Sequence, residues 1–185
     1  IVEYGWSFVG CDIAKESLDS VRSIVAANEL LQGLLEVRHQ PNDSCILRGV
    51  VSESDRFAFT MCNPPFHASA EEAAQGTMRK TKNLSGGKAS NPMLNFSGVQ
   101  KELIYEGGEM RFIQTLIRES QNYAANVFWF TTLVSKQSHL KALHATLRTV
   151  RPTEVKTIPM GTGNKSTRIL AWTFVPKEAR VHWRC

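Results

Sequence analysis

The sequence predicts an α/β fold, a mostly parallel β-sheet flanked by helices and closed by an antiparallel hairpin. Three observations predict it. Short apolar runs of strand length alternate with segments whose apolar residues recur at helical spacing. The last two alternating runs are separated by Gly161-Thr162-Gly163-Asn164, a turn sequence. The chain has 185 residues, 42% hydrophobic and 21% charged, the composition of one ordinary globular domain.

Each element follows in order. Trp6–Cys11 (WSFVGC) is a short apolar run that ends in Asp12 and reads as a strand. Lys15–Leu31 places Leu18, Val21, Ile24, Val25 and Ala26 at a helical period. Leu34–His39 is the second strand, closed by Pro41. Phe57–Cys62 is the third and runs into Asn63-Pro64-Pro65. Glu109–Tyr123 is helical through Met110, Ile113, Leu116 and Ile117, with Gly107-Gly108 just before it. Val127–Leu133 is a strand, and Ser138 is placed to cap a helix from His139 to Val150. Val155–Pro159 and Arg168–Val175 form the closing hairpin. The domain reads as 1–176, with a loop at about 67–105 and a tail at 177–185.

Composition excludes a disordered chain, a collagen-like repeat and a disulfide-dense scaffold. The longest apolar stretch, Asn126–Val134, carries two threonines and is far short of the roughly 18–20 residues of a membrane span. The four cysteines, Cys11, Cys45, Cys62 and Cys185, form no CxxC pair and no zinc-spaced cluster with histidine. They read as reduced thiols of a cytoplasmic protein, and no metal site is expected. The chain starts without Met, signal peptide or transit-like stretch and reads as a fragment.

Charge is concentrated in one segment. Lys+Arg number 22 against 17 Asp+Glu, a formal charge of +5. From Gly76 to Lys101 there are five basic residues (Arg79, Lys80, Lys82, Lys88, Lys101) and no acidic one, which accounts for the whole excess. A solvated surface loop is one reading. The other is a phosphate-contacting arm beside a site, since irregular segments this long are usually functional or disordered. Two apparent motifs carry nothing. Gly161–Thr167 (GTGNKST) has Asn164 where a Walker motif needs contiguous Gly-Lys, and it lies between strands; no GxGxxG occurs.

The informative word is Asn63-Pro64-Pro65-Phe66, which a chain of this length would contain by chance roughly once in a thousand times. One reading is a proline-rich strand terminator. The other is chemical. An exocyclic adenine amine is a poor nucleophile because its lone pair is delocalised into the ring. Two acceptors for its N–H hydrogens draw the nitrogen toward a tetrahedral shape. The Asn63 side-chain oxygen and the Pro64 carbonyl are such acceptors, and Phe66 offers a face for an extruded base. No general base is required.

These residues resemble motif IV of class I methyltransferases that act on planar nitrogens with S-adenosylmethionine (SAM). The sequence is more closely similar to the RlmF-type 23S rRNA adenine-N6 methyltransferases of bacteria. The resembling words are CNPPFH (62–67), RKTKNL (79–84), LNFSGVQKEL (94–103), EGGEMRFI (106–113), WFTTLVS (129–135) and TRILAWTF (167–174). The eukaryotic U6-snRNA-type enzymes share NPPF, EGGE and the AWTF-like ending. The resemblance implies a Rossmann-like class I methyltransferase fold in which Asn63, Pro64, Pro65 and Phe66 form the catalytic loop. It implies that Asp12 binds the SAM ribose, that Asn63 also borders the cofactor, and that Gln40 lines the adenine pocket. Arg79, Lys80, Lys82, Glu106, Gly107 and Gly108 are implied on the RNA side. Asp12 has an alternative use as a helix N-cap, and Glu109 as a favourable charge at a helix N-terminus. The glycine motif for SAM is expected upstream of Tyr4 and is not in this sequence; nor is the first strand, which the family places between the strands at 6–11 and 57–62.

Three functions are carried forward: SAM-dependent adenine-N6 methylation of structured RNA, 23S rRNA foremost; the same chemistry on another RNA, on DNA or on a glutamine amide; and a non-catalytic RNA-binding scaffold of the same fold. Phe66 rather than Tyr, the basic loop and the LNFSGVQ and EGGE words favour the first. A monomer that does not associate with membranes is expected.

Overall fold

The computed structural model describes residues 1–69, 104–162 and 165–184. Arg79, Lys80 and Lys82, most of the 67–105 loop, the Gly163-Asn164 turn and Cys185 lie outside the described residues. The chain divides into two compact units, Ile1–Ser54 and Asp55–Cys185.

In the first unit, β1 (Phe8–Asp12) pairs in parallel with β2 (Leu35–His39), so that Asp12 faces His39 at the ends of the ladder. The connecting helix α1 (Lys15–Ala26) buries Leu18. It ends five residues before the helix expected from sequence. The Asn28 side chain donates to the Ile24 carbonyl (2.7 Å) and Gln32 to that of Ala26 (3.2 Å). These bonds satisfy the last turn, and Glu29–Leu31 continues as a 3-10 turn.

The second unit holds a four-stranded sheet in the order β3 (Phe57–Phe59), β4 (Val127–Val134), β6 (Lys165–Thr173), β5 (Glu154–Thr162). β3 and β4 are parallel; β4–β6 and β6–β5 are antiparallel, the closing hairpin expected from sequence. β1–β2 and this sheet share no strand pairing among the described residues. The expected single parallel sheet is therefore realised as two pieces.

Helices α2 (Gly108–Ser120) and α3 (Leu140–Val150) pack on the second sheet. Both have an apolar stripe of helical period: Ile113, Leu116 and Ile117 on α2, Leu143, Leu147 and Val150 on α3, all buried. The cross-strand partners Phe130 and Trp172 stack at 5.7 Å. Trp172 Nε1 donates to Ser120 Oγ at the end of α2 (2.9 Å), which satisfies the one polar atom of a fully buried indole. The α3 N-terminus carries no side-chain cap, so Ser138 does not play that part; it lies in a 3-10 turn, Gln137–His139. The tail is not free. Lys177–His182 forms a 3-10 turn, Arg180 pairs with Glu154 (2.6 Å) and Trp183 stacks on Phe128 at 5.6 Å. The Arg180 guanidinium holds the Glu154 carboxyl below its ordinary range.

Candidate functional site

Two groups of candidate residues stand at the C-terminal ends of parallel strands, where α/β sheets place ligands. Each lies within its own unit.

The first group is Asp12 and Gln40, which the parallel ladder brings together. The Gln40 N–H donates to the Asp12 carbonyl (2.9 Å). Asp12 is half-buried, and its Oδ1 accepts from the Ala14 N–H (2.7 Å) at the start of α1. That is the capping use left open by sequence. The other carboxylate oxygen makes no bond to a described residue. Gln40 is buried, and its amide is spent inside the protein. Nε2 donates to the carbonyls of Arg48 (2.9 Å) and Ile46 (3.4 Å), while Oε1 accepts from the Asn42 N–H (3.1 Å). Gln40 thus shapes the 41–49 loop, with both polar atoms of its amide engaged by main-chain groups.

The second group is the loop after β3. Sequence expected this strand to run to Cys62; regular pairing ends at Phe59. Thr60 and Thr131 explain the difference. Thr60 Oγ1 accepts from the Thr131 N–H (2.9 Å), and Thr131 Oγ1 donates to the Thr60 carbonyl (2.5 Å), so side chains replace ladder bonds at this step. The main chain stays pinned to β4 one turn further, where Leu133 N–H donates to the Cys62 carbonyl (2.9 Å). Beyond the loop, His67 bridges Ile104 in parallel and its carbonyl accepts from the Tyr105 N–H (3.0 Å). Asn63–Phe66 is therefore a short span clamped at both ends. Within it Pro64 is buried, Asn63 is exposed and Phe66 is 37% exposed. Asn63 makes no side-chain hydrogen bond to a described residue.

Gly107 and Gly108 support this loop from behind. Both have left-handed backbones, with φ of 84° and 64°. A Cβ on Gly107 would meet the Arg111 side chain at 2.6 Å, and one on Gly108 would sit 3.5 Å from the Ala68 nitrogen. Glycine lets α2 start directly against the segment that leaves the loop. Glu106 is exposed and pairs with Arg111 (3.0 Å), an interaction worth little at the surface.

From sequence Glu109 closes the EGGE word that the resemblance puts on the substrate side, or else serves as a helix-favouring charge. It is fully buried, and its carboxylate accepts from the Ser135 N–H (2.6 Å) and meets His139 Nδ1 at 2.7 Å. It ties α2 to the turn between β4 and α3. His139 and Ser135 carried no sequence signal for this contact. A buried acid aimed at main-chain N–H groups satisfies donors that would otherwise be orphaned.

Among the described residues no group of three or more His, Cys, Asp or Glu is placed to hold a metal ion, and no helix is long and apolar enough to cross a membrane. Among the described residues Cys11, Cys45 and Cys62 form no disulfide.

This fold is that of an α/β methyltransferase. It matches the hMettl16 catalytic domain, solved in complex with MAT2A 3'UTR hairpin 1, with a TM-score of 0.74 and 26% identity over 94% of this chain and 57% of that one. It also matches the N-terminal domain of human METTL16 in complex with SAH, at a TM-score of 0.65 and 21% identity, over 94% of this chain and 54% of that one. Residues 1–176 match the model of a family described as RNA methyltransferase, and the chain belongs to that family. Among its relatives, the ribosomal RNA large subunit methyltransferase F of Cytophaga hutchinsonii is 50% identical over 181 residues, which are 98% of this chain and 56% of the relative. The protein of the same name from Shewanella baltica is 48% identical, over 98% of this chain and 51% of the relative. The chain spans about half the length of these relatives.

Proposed function

We propose that this chain carries the catalytic loop of a SAM-dependent methyltransferase that modifies the exocyclic N6 of an adenine in structured RNA, 23S rRNA foremost. The observation that carries the reading is Asn63. It is an exposed amide without a described partner, on a loop clamped at both ends, beside a buried proline and an exposed aromatic ring. Family membership and the name shared by the bacterial relatives support it.

In this reading Asn63 Oδ1 accepts one N6 hydrogen and the Pro64 carbonyl accepts the other. The nitrogen lone pair is then directed out of the ring plane toward the methyl donor. Phe66 stacks on the base. When bound, SAM supplies an electrophilic methyl on a sulfonium sulfur. Methyl transfer from the sulfonium would leave N6 with one proton to shed to solvent, so these residues need supply no general base. The free Asp12 carboxylate oxygen fits the ribose hydroxyls. Gln40 acts through the loop it holds. Arg79, Lys80 and Lys82 contact RNA phosphates in this reading, and replacing all three with Ala should flatten the salt dependence of RNA binding by up to about three units of log–log slope.

The test uses the full-length protein, labelled SAM and unmodified 23S rRNA, with the product digested to nucleosides. Label in N6-methyladenosine is the expected result. Label on another nucleoside, or transfer to DNA in preference to RNA, overturns the substrate assignment. RNA binding without transfer supports the scaffold.

A further inference from the structure

Nothing in the reading above uses the outer face of α3. From Lys136 to Thr153 there are four Lys/Arg residues and no acidic one. Lys136, Lys141, Arg148 and Arg151 make no ion pair with a described residue. The next acid in sequence, Glu154, does not neutralise them. The strand pleat sends alternate side chains to opposite faces. Val155 and Thr157 pair across the hairpin with Trp172 and Leu170, on the face packed against the helices, and His144 Nε2 meets Thr157 Oγ1 at 3.1 Å. Glu154 points the other way, with Lys156 and the Arg180 that it pairs.

Two of these cations, Arg148 and Arg151, border an open groove of about 290 Å³ that is also lined by His144, Leu147, Pro152 and Val155. Arg151 is also conformationally out of place. It follows the last residue of α3 in the left-handed region, φ 54°, the only non-glycine residue with positive φ among those described. Glycine is the usual occupant of this position, and a bulky side chain there is strained. Arg151 thus stands with Arg148 and His144 at one groove, at a helix C-terminus whose dipole also favours cations.

The groove is distant from the Asn63 loop. That loop adjoins the C-terminal end of β4, as does the first residue of α3 after the Ser135–His139 turn. The helix then runs 11 residues away, about 16 Å at 1.5 Å per residue.

We propose that His144, Arg148 and Arg151 form a second RNA-binding surface, which grips backbone phosphates of the substrate away from the target adenine. This rests on the reading of the protein as an RNA methyltransferase. A structured RNA large enough to reach both places presents phosphates at this spacing whatever its sequence, and guanidinium forks match them bidentately.

The experiment compares the full-length protein with the double variants Arg148→Ala/Arg151→Gly and Arg148→Lys/Arg151→Lys. RNA binding to unmodified 23S rRNA is measured across a salt series, together with steady-state methyl transfer. The Ala/Gly variant should lose about two units of log–log salt slope and raise KM for RNA about tenfold, with kcat at saturating RNA unchanged. Because Gly relieves the strain at 151, its thermal midpoint should not fall, so lost binding is not lost folding. The Lys pair should keep most of the slope. An unchanged slope and KM in the Ala/Gly variant overturn the surface, as does a fall in kcat alone. Wild-type protein that binds RNA without methylating it sinks the adenine reading while the salt slopes still decide this one.

Discussion

Two loops in this molecule follow parallel strands, and they are held by different means. The 41–49 loop of the first unit is stitched by one polar side chain, the Gln40 amide, which makes three bonds to main-chain atoms. Little apolar packing stands beneath it: this unit buries Ala14, Leu18, Cys45, Leu47 and Val50, and leaves Val2, Tyr4, Trp6, Ile24 and Leu30 exposed. The Asn63–Phe66 loop of the second unit grows from strands whose neighbours include Phe130, Val134, Leu170 and Trp172, all fully buried. Threonine side chains and strand pairing fix it at one end and a parallel bridge at the other. The difference teaches where positional accuracy comes from. In the proposed roles, the carboxylate for sugar hydroxyls has a locally stitched support, and the acceptor that must meet one N–H at one angle stands on a packed core.

The largest change expected is in that core. Trp172→Ala should destabilise the second unit by about 3–5 kcal/mol, measured by urea unfolding, because it empties a stacked indole site and removes the donor to Ser120 Oγ, which keeps its own bond to the Ile117 carbonyl. A loss below about 1 kcal/mol would show that the core is not what supports the loop. Glu109→Ala comes next, at about 1–3 kcal/mol, because it leaves the Ser135 N–H and His139 without an acceptor. Gln40→Ala should act locally. Amide exchange at Asn42 and along 41–49 should speed at least about tenfold while β4 and β6 are unmoved, the signature of a sub-global opening; acceleration of all strands alike would erase the contrast between the units. Smallest is Glu106→Ala, three residues from Glu109, with a loss of at most about 0.5 kcal/mol because its pair with Arg111 is solvent-exposed.

Sequence patterning located every described α-helix and strand, because each has an apolar face that must be covered. Their ends were less legible. α1 stops at Ala26 because Asn28 and Gln32 fold back on its last carbonyls, and β3 stops at Phe59 because Thr60 bonds through its side chain. Neither event has a period. The Asn63 loop stood out in sequence because two prolines and an aromatic residue make a rare word, which serves as a strand terminator in one reading and as an amine acceptor in the other. Asp12 was readable as either ribose ligand or cap, and its two oxygens leave room for both. Glu109 was not legible in this role, since its partners Ser135 and His139 lie 26 and 30 residues away and only the fold brings them together. The anchors of the tail at 177–185, Glu154 and Phe128, were not legible for the same reason, since these contacts are also long-range.

The claim at the centre of this account is that Asn63 serves the substrate amine and not the fold or the cofactor. Asn63→Ala in the full-length protein tests it, with methyl transfer to unmodified 23S rRNA and SAM affinity measured on the same preparation. Loss of one preorganised polar contact to the reacting group predicts a fall of about 10²–10³ in rate. SAM binding and the unfolding midpoint should be unchanged, since the side chain is exposed and bonds to no described residue. Near-normal turnover, or a rate loss matched by an equal loss of SAM affinity, would contradict the assignment.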